Sequence, residues 1–320
     1  VKAAVFEQFG APEVISIQEV PEPNLGQNDV LVETIGVSVN HVDTFVRSGS
    51  FKTSLATPHI IGRDLVGRVL TVGPAVTTFK PGDLVWSNSM GYDGRSGVTA
   101  QRVAVPVERL YHSPSGVDPL HLVAAVHSAA TAAIVLKNVM HASAGQRILI
   151  AGAAGHVGTK LVRLASIMGL NVITTANPAD FDRLDQLGSS VCLDYHQPLA
   201  AATIHPVDHV IDTSGQLDLQ ISLDLLGQNG EVTLITAPAQ PEVFGGRAFY
   251  TSQKQINGFV ISHASLEQLT RAAQWLNVLF EAGLLFDDAL KIMPFEQAQQ
   301  AHQELEAGVD HQKRIVLKFS

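Results

Sequence analysis

The stretch Arg147-Ile148-Leu149-Ile150-Ala151-Gly152-Ala153-Ala154-Gly155-His156-Val157-Gly158 decides how this chain is read. It opens as an apolar run, as expected of a strand buried on both faces. Small residues follow, and then Val157, Leu161, Leu164, Ala165 and Met168 recur at helical spacing. A strand that turns through small residues into a helix brings backbone N–H groups close to whatever occupies the turn. Those groups, with the helix dipole, favour a phosphate. Set on a G-x-G-x-x-G pattern, Ala153 takes the first glycine place and Gly155 and Gly158 take the others. The stretch therefore predicts a dinucleotide-binding turn, with Gly152, Ala154, Gly155, His156, Val157 and Gly158 as candidate contacts. His156 is either a phosphate donor or a solvated loop residue.

Outward from the turn, strands alternate with helical periods. Asn171–Thr175, Val191–Asp194, His209–Asp212 and Glu231–Thr236 read as strands, and Phe181, Leu184 and Leu187 mark a helix ended by Gly188. Such alternation predicts a doubly wound parallel sheet. At the end of the second strand an NAD enzyme usually places an acid for the ribose 2′-hydroxyl. Here Thr174-Thr175-Ala176-Asn177-Pro178 carries none. Asp180 fits the third position of a helix that Asn177 caps and Pro178 opens. The missing acid leans the reading towards NADP, although no Arg or Lys stands there to favour a 2′-phosphate. Thr175 and Asn177 are the candidate contacts of this strand end.

Before Ser113-Pro114 the pattern differs. Val30–Ile35, Leu65–Val72 and Leu84–Trp86 are short strands between Gly and Pro turns, as in a small β-barrel. The last sixty residues are α+β: Ser265 and Gln268 form a capping box, Glu296–Ala307 reads as a helix and Arg314–Phe319 as a strand. This tail is not another strand–helix unit and is expected to complete the first domain, leaving the sheet domain as an insertion.

At roughly 150 residues per domain, 320 residues also predict two domains. Lys and Arg number 21 against 30 Asp and Glu, so the net charge of −9 argues against nucleic acid as a partner. The lone Cys192 excludes an intrachain disulfide framework and a multi-cysteine zinc site. Val1–Phe6 reads as a strand rather than a signal sequence, and Leu122–Leu136 is shorter than the about 20 residues a bilayer needs. It is expected to be a buried helix, and the chain to be cytoplasmic with no membrane partner.

Taken in order, several motifs resemble the zinc-independent medium-chain dehydrogenase/reductases of the quinone oxidoreductase (zeta-crystallin-like) family. They are Asn40-His41-Val42-Asp43 with Arg47-Ser48-Gly49, Gly62-Arg63-Asp64-Leu65-Val66-Gly67, Lys80-Pro81-Gly82-Asp83, the phosphate turn, Asp212-Thr213-Ser214-Gly215 and Arg314-Ile315-Val316-Leu317. The resemblance spans essentially the whole chain. It implies a Rossmann domain over 116–260, inserted in a GroES-like β-barrel catalytic domain over 1–115 and 261–320. It implies NADPH, with NADH the less favoured coenzyme, hydride transfer to a quinone or enone, and a homodimer. Zinc-dependent relatives carry His-Glu where this chain has Arg63-Asp64, so no zinc is expected. The rival readings are an enoyl-thioester reductase, another zinc-free dehydrogenase of the superfamily, or an NADPH-binding protein without catalysis.

By the same resemblance, Asn40 stands beside the nicotinamide and substrate, or is a turn residue. Asp64 orients substrate or bonds nearby backbone, and Asp43 with Arg47 forms an ion pair that holds the loop. Thr131 meets the carboxamide, Tyr195 the adenosine ribose or its phosphate, and Ile235 and Thr236 end a strand on its ligand side. Arg314 reaches the coenzyme phosphates or is a surface charge. Phe51 stands where many relatives have tyrosine, so it cannot donate the proton that reduction consumes.

Overall fold

The computed structural model describes residues 1–199, 204, 206–238 and 241–320. The chain forms two compact units, Val1–His127 with Ser265–Ser320, and Ser128–Ala264.

The first unit opens with β1 (Lys2–Phe6), β2 (Ile15–Glu19), β3 (Asp29–Ser38), α1 (His41–Ser48), β4 (Asp64–Val72), β5 (Leu84–Ser87), β6 (Arg102–Pro106) and β7 (Leu110–His112). Helix α2 (Pro119–Ile134) follows and contains the 127/128 boundary. The second unit carries β8 (Arg147–Ala151), α3 (His156–Ile167), β9 (Asn171–Ala176), α4 (Phe181–Leu187), β10 (Val191–Asp194), β11 (Val207–Asp212), α5 (Leu219–Leu225), β12 (Leu226–Leu234), α6 (Gly246–Thr251) and β13 (Gln255–Gly258). The chain then returns to the first unit through α7 (Leu266–Glu281), β14 (Ala289–Pro294), α8 (Ala298–Glu306) and β15 (Lys313–Lys318).

In the first unit a sheet runs in the order β14-β15-β3-β4-β5-β7, with β6 also on β3. The returning β15 pairs antiparallel with β3, placing Val316 opposite Ser38 and Leu317 opposite Val37. Alternate residues of these strands point inward, so Val30, Val32, Leu65, Val85 and Val105 are fully buried and meet Phe295 and Leu317 of the tail. The tail thus completes this core and gives the GroES-like barrel. Close strand approach is fixed at Gly67, where a Cβ would lie 2.4 Å from the Glu33 carbonyl oxygen.

The second unit is the Rossmann sheet, parallel throughout in the order β10-β9-β8-β11-β12-β13. The strand order reverses between β8 and β11, and ligands of such sheets bind outside the carboxyl ends at that reversal. Leu149, Ile173, Val210 and Val232, one from each central strand, share a core with Leu219 and Leu223 of α5.

Helix α2 is longer than its sequence suggested. With a π turn at Val135–Val139 it reaches 21 residues, long and apolar enough to cross a bilayer. Its most apolar window is nonetheless 83 % buried within the protein, which is the environment of a core helix.

Candidate active site

The phosphate turn joins β8 to α3. No side chain caps α3 at its N-cap, Gly155, so the backbone N–H groups of the first turn keep their anion-binding character. Gly152 has φ +70°, and a Cβ there would lie 2.7 Å from the Thr213 hydroxyl. Gly158 packs the helix against the turn, where a Cβ would meet the Gly152 and Ala153 carbonyl oxygens at 2.6 Å. Gly155 differs: its Cβ would meet only the Gly152 oxygen, at 3.4 Å, and the residue is exposed. Two glycines are thus required by the turn itself. The third keeps the helix end bare, a cradle that fits a pyrophosphate.

Neighbouring strand ends hold this turn. The Ala153 N–H donates to the Thr175 carbonyl at 3.1 Å and the Gly152 N–H to the Thr175 hydroxyl at 3.4 Å. The Thr213 hydroxyl reaches the Ala151 and Gly152 carbonyls, each at 2.9 Å. Buried Asp212 fixes the next loop by accepting from the Ser214 N–H and hydroxyl and the Leu217 N–H. The Asn177 side chain accepts from the Ala179 N–H at 3.0 Å and caps the Pro178–Asp180 turn, the arrangement its spacing predicted. Tyr195 is 56 % exposed, just past β10, with its ring 4.1 Å from that of His196. The backbone and ring N–H of His196 hold the Asp194 carboxyl below its ordinary range. Ile235 is half-buried and Thr236 exposed beyond the carboxyl end of β12, while Thr131 is buried in α2.

The first unit holds a separate cluster of buried polar groups. Register places Ser38 of β3 between Asp64 of β4 and Val316 of β15. Asn40, two residues past Ser38, therefore meets both flanking strands. Its amide donates to Asp64 Oδ2 at 2.8 Å and Ser38 Oγ at 3.2 Å, and its Oδ1 accepts from Arg314 Nη2. Arg314 Nε also donates to the Ala124 carbonyl at 3.2 Å. Both N–H groups of the Asn40 amide thus go to protein partners. Arg314 is buried in the first unit and bonded to Asn40 and Ala124, which corrects the expectation of a surface charge.

Asp64 accepts at both oxygens: Oδ1 from the Ser89 N–H at 3.2 Å, Oδ2 from Asn40 and from His127 Nδ1 at 2.9 Å. Burial pushes its pKa up, but the charge and hydrogen bond of His127, with Arg63, outweigh this and hold it below the ordinary value. Asp43 goes the other way. Burial, then the charge of Asp64, push it up to about 7. Its Oδ2 accepts from the Asn40 N–H at 2.7 Å. The expected Asp43–Arg47 pair does not form: Arg47 turns to Glu306 and the Gly10 carbonyl. Phe51 stacks on Tyr92, with centroids 5.2 Å apart and planes 18° apart. The histidine on Asp64 was missed from sequence. Its one signal was a basic residue inside the apolar run of α2, a place where a satisfied core histidine is the commoner finding.

Two family models match the chain: the alcohol dehydrogenase GroES-like domain over residues 26–115 and the zinc-binding dehydrogenase domain over residues 157–277. A quinone oxidoreductase of Lama guanicoe is 27 % identical over 99 % of this chain and 97 % of its own. The native structure of a mycobacterial quinone oxidoreductase is 26 % identical over 99 % of both chains, with a TM-score of 0.85. A mycobacterial protein solved in complex with NADPH is 26 % identical over 99 % of both chains, with a TM-score of 0.82. By its motifs, its inserted Rossmann sheet and these matches, the chain belongs to the medium-chain dehydrogenase/reductases and is similar over nearly its whole length to quinone oxidoreductases among them.

Proposed function

We propose that this enzyme reduces a quinone or an α,β-unsaturated carbonyl with NADPH and without zinc. The observation that carries this reading is the commitment of the buried polar set to itself. Asp64 is hydrogen-bonded by Asn40, His127 and Ser89, and Arg63 and Arg314 bring positive charge to the same set. Among the described residues no group of three or more His, Cys, Asp or Glu is placed to hold a metal. Such a donor set does not fit zinc. A site without a Lewis acid suits an acceptor that is electrophilic already.

Bound NADPH would supply hydride from its nicotinamide ring. The phosphate turn would hold the pyrophosphate through the bare first turn of α3, and Thr175 and Thr213 fix that turn. At the end of β9, Asn177 leaves its amide N–H group to a 2′-phosphate, and the strand itself ends without a carboxylate. That supports NADPH over NADH. Reduction also consumes a proton, which Phe51 cannot give. Asp64 holds His127 by Nδ1, so the reading assigns proton delivery to His127 Nε2.

Stopped-flow mixing of the NADPH-loaded enzyme with a panel of quinones and enones tests the proposal. Acceptor-dependent oxidation, faster with NADPH than with NADH and insensitive to chelation, is the expected result. Silence across the panel, or activity that chelation removes and Zn²⁺ restores, overturns it.

A further inference from the structure

Beside the Asp64 cluster, the first unit holds a buried cation that its own residues do not satisfy. Arg63 is 1 % exposed, and none of its three side-chain nitrogens has a hydrogen-bond partner. Its Cζ stands 5.3 Å from the centre of the Tyr92 ring, and that of Arg95 stands 5.9 Å from the same centre. Arg95 Nε also lacks a partner. Its hydrogen bond is Nη2 to the Ser89 carbonyl at 3.3 Å, and its ion pair is Nη1 to solvent-exposed Asp93 at 3.9 Å.

A buried guanidinium is normally hydrogen-bonded on several of its five N–H groups, because losing water without replacement is costly. Two guanidiniums gathered on one ring repel each other as well. Burial, then Arg109 and Arg63, draw the Arg95 pKa down to about 10. The nearby acids, Asp43 and Asp64, meet Arg63 by charge alone and give it no hydrogen bond. Asp64 is hydrogen-bonded by other groups, and Asp43, itself pushed up to about 7, is a weak counter-charge at neutral pH. In a chain of net charge −9 this is a local positive excess, of the kind that draws an anion inward. The planar guanidinium fork matches a carboxylate. Half-buried Phe51, stacked on buried Tyr92, is the apolar surface beside it for a conjugated body.

We propose that Arg63 and Arg95 recognise a carboxylate on the acceptor, so that the substrate class is a conjugated keto acid or quinone acid rather than a neutral compound. This deepens the reading above and rests on it for the reaction, while the binding site itself is testable without turnover.

The test is calorimetric titration of the full chain with 3-benzoylpropionate and with its methyl ester, in the wild type, in Arg95→Met and in Arg63→Met. We expect the acid to bind roughly tenfold or more tightly than the ester, as for a charge-assisted hydrogen bond. The preference should shrink as salt is added and be lost in Arg95→Met, whose side chain is partly exposed and whose replacement should leave the fold intact. Equal binding of acid and ester, or a preference that survives both substitutions, overturns the proposal. Turnover of 3-benzoylacrylate, of its methyl ester and of the quinone and enone panel with NADPH is measured in parallel. Silence of all of them alongside a retained acid preference sinks the reductase reading and keeps the site. Ester turnover without acid preference does the reverse.

Discussion

At the scale of single residues, the three glycines of the phosphate turn show how one motif letter can stand for different physical needs. Gly152 is in the left-handed region and against Thr213, so Gly152→Ala should cost about 1–2 kcal/mol from backbone conformation alone, with the contact in addition. Gly155 is neither left-handed nor crowded. Gly155→Ala should therefore melt like the wild type and bind NADPH roughly tenfold more weakly, because its methyl group occupies the approach to the helix N-terminus. Fluorescence titration of NADPH beside thermal melts separates the two variants, and equal losses of stability would contradict the distinction. Asp64→Asn keeps the shape of the buried set but removes the charge that holds His127. Turnover should fall roughly tenfold or more with NADPH affinity unchanged, and an unaltered kcat would remove His127 from the chemistry. Asn177 was legible in the sequence because its cap partner, Ala179, is two residues away. Asn40 was not, because Arg314, which accounts for its carbonyl oxygen, is 274 positions along the chain. The burial of Arg63 was hidden for the same reason: it is set by folding, not by neighbours in sequence.

At the scale of elements, legibility followed local signals. Helix α7 starts at the predicted capping box, with the Ser265 N–H donating to Gln268 Oε1 at 2.9 Å and the Gln268 N–H to Ser265 Oγ at 3.1 Å. Ser265→Ala should cost about 1 kcal/mol, read as a lower urea midpoint with unchanged slope; no shift would mean that packing alone sets the start of α7. Helix α4 stops at Gly188, which takes φ +112°. What escaped the sequence lacked such signals. The edge strand β13, Gln255-Ile-Asn-Gly258, is short and half polar, and it is a strand because β12 offers it a ladder. The opening of β12, Leu226-Gly-Gln-Asn-Gly230, reads as a turn, and Asn229 indeed has φ +61°. Asp43 and Arg47 have the spacing of an ion pair on α1, yet Arg47 faces α8, where Glu306 and His302 compete for it.

At the scale of the whole molecule, the discontinuous first unit ties its ends together with groups whose proton equilibria oppose each other. On α8, burial and then Arg47 depress His302 from 6.5 to about 3. The unfolded chain takes this proton below pH 6.5 and the folded chain does not, so the contribution is present above 6.5 and lost as the pH falls towards 3. On α1, Asp43 is raised from 3.8 to about 7. Its contribution is present below 3.8 and lost as the pH rises through 7. Between about 4 and 6.5 the folded state therefore holds one proton on Asp43 that the unfolded state lacks, and lacks one that the unfolded state puts on His302. The two slopes cancel there. Asp43→Asn removes one side of this balance while keeping an oxygen for the Asn40 N–H. Relative to the wild type, the variant should lose about 1.4 kcal/mol of stability per pH unit on acidification from 6.5 to 4. Both tryptophans, Trp86 and Trp275, lie in the first unit, so urea unfolding followed by their fluorescence reads the unit concerned. A constant difference between variant and wild type across that range would mean that Asp43 is ionised in the folded protein. The carboxylates of Asp43 and Asp64 would then both counter Arg63, and the case for an anion drawn to Arg63 and Arg95 would weaken with it.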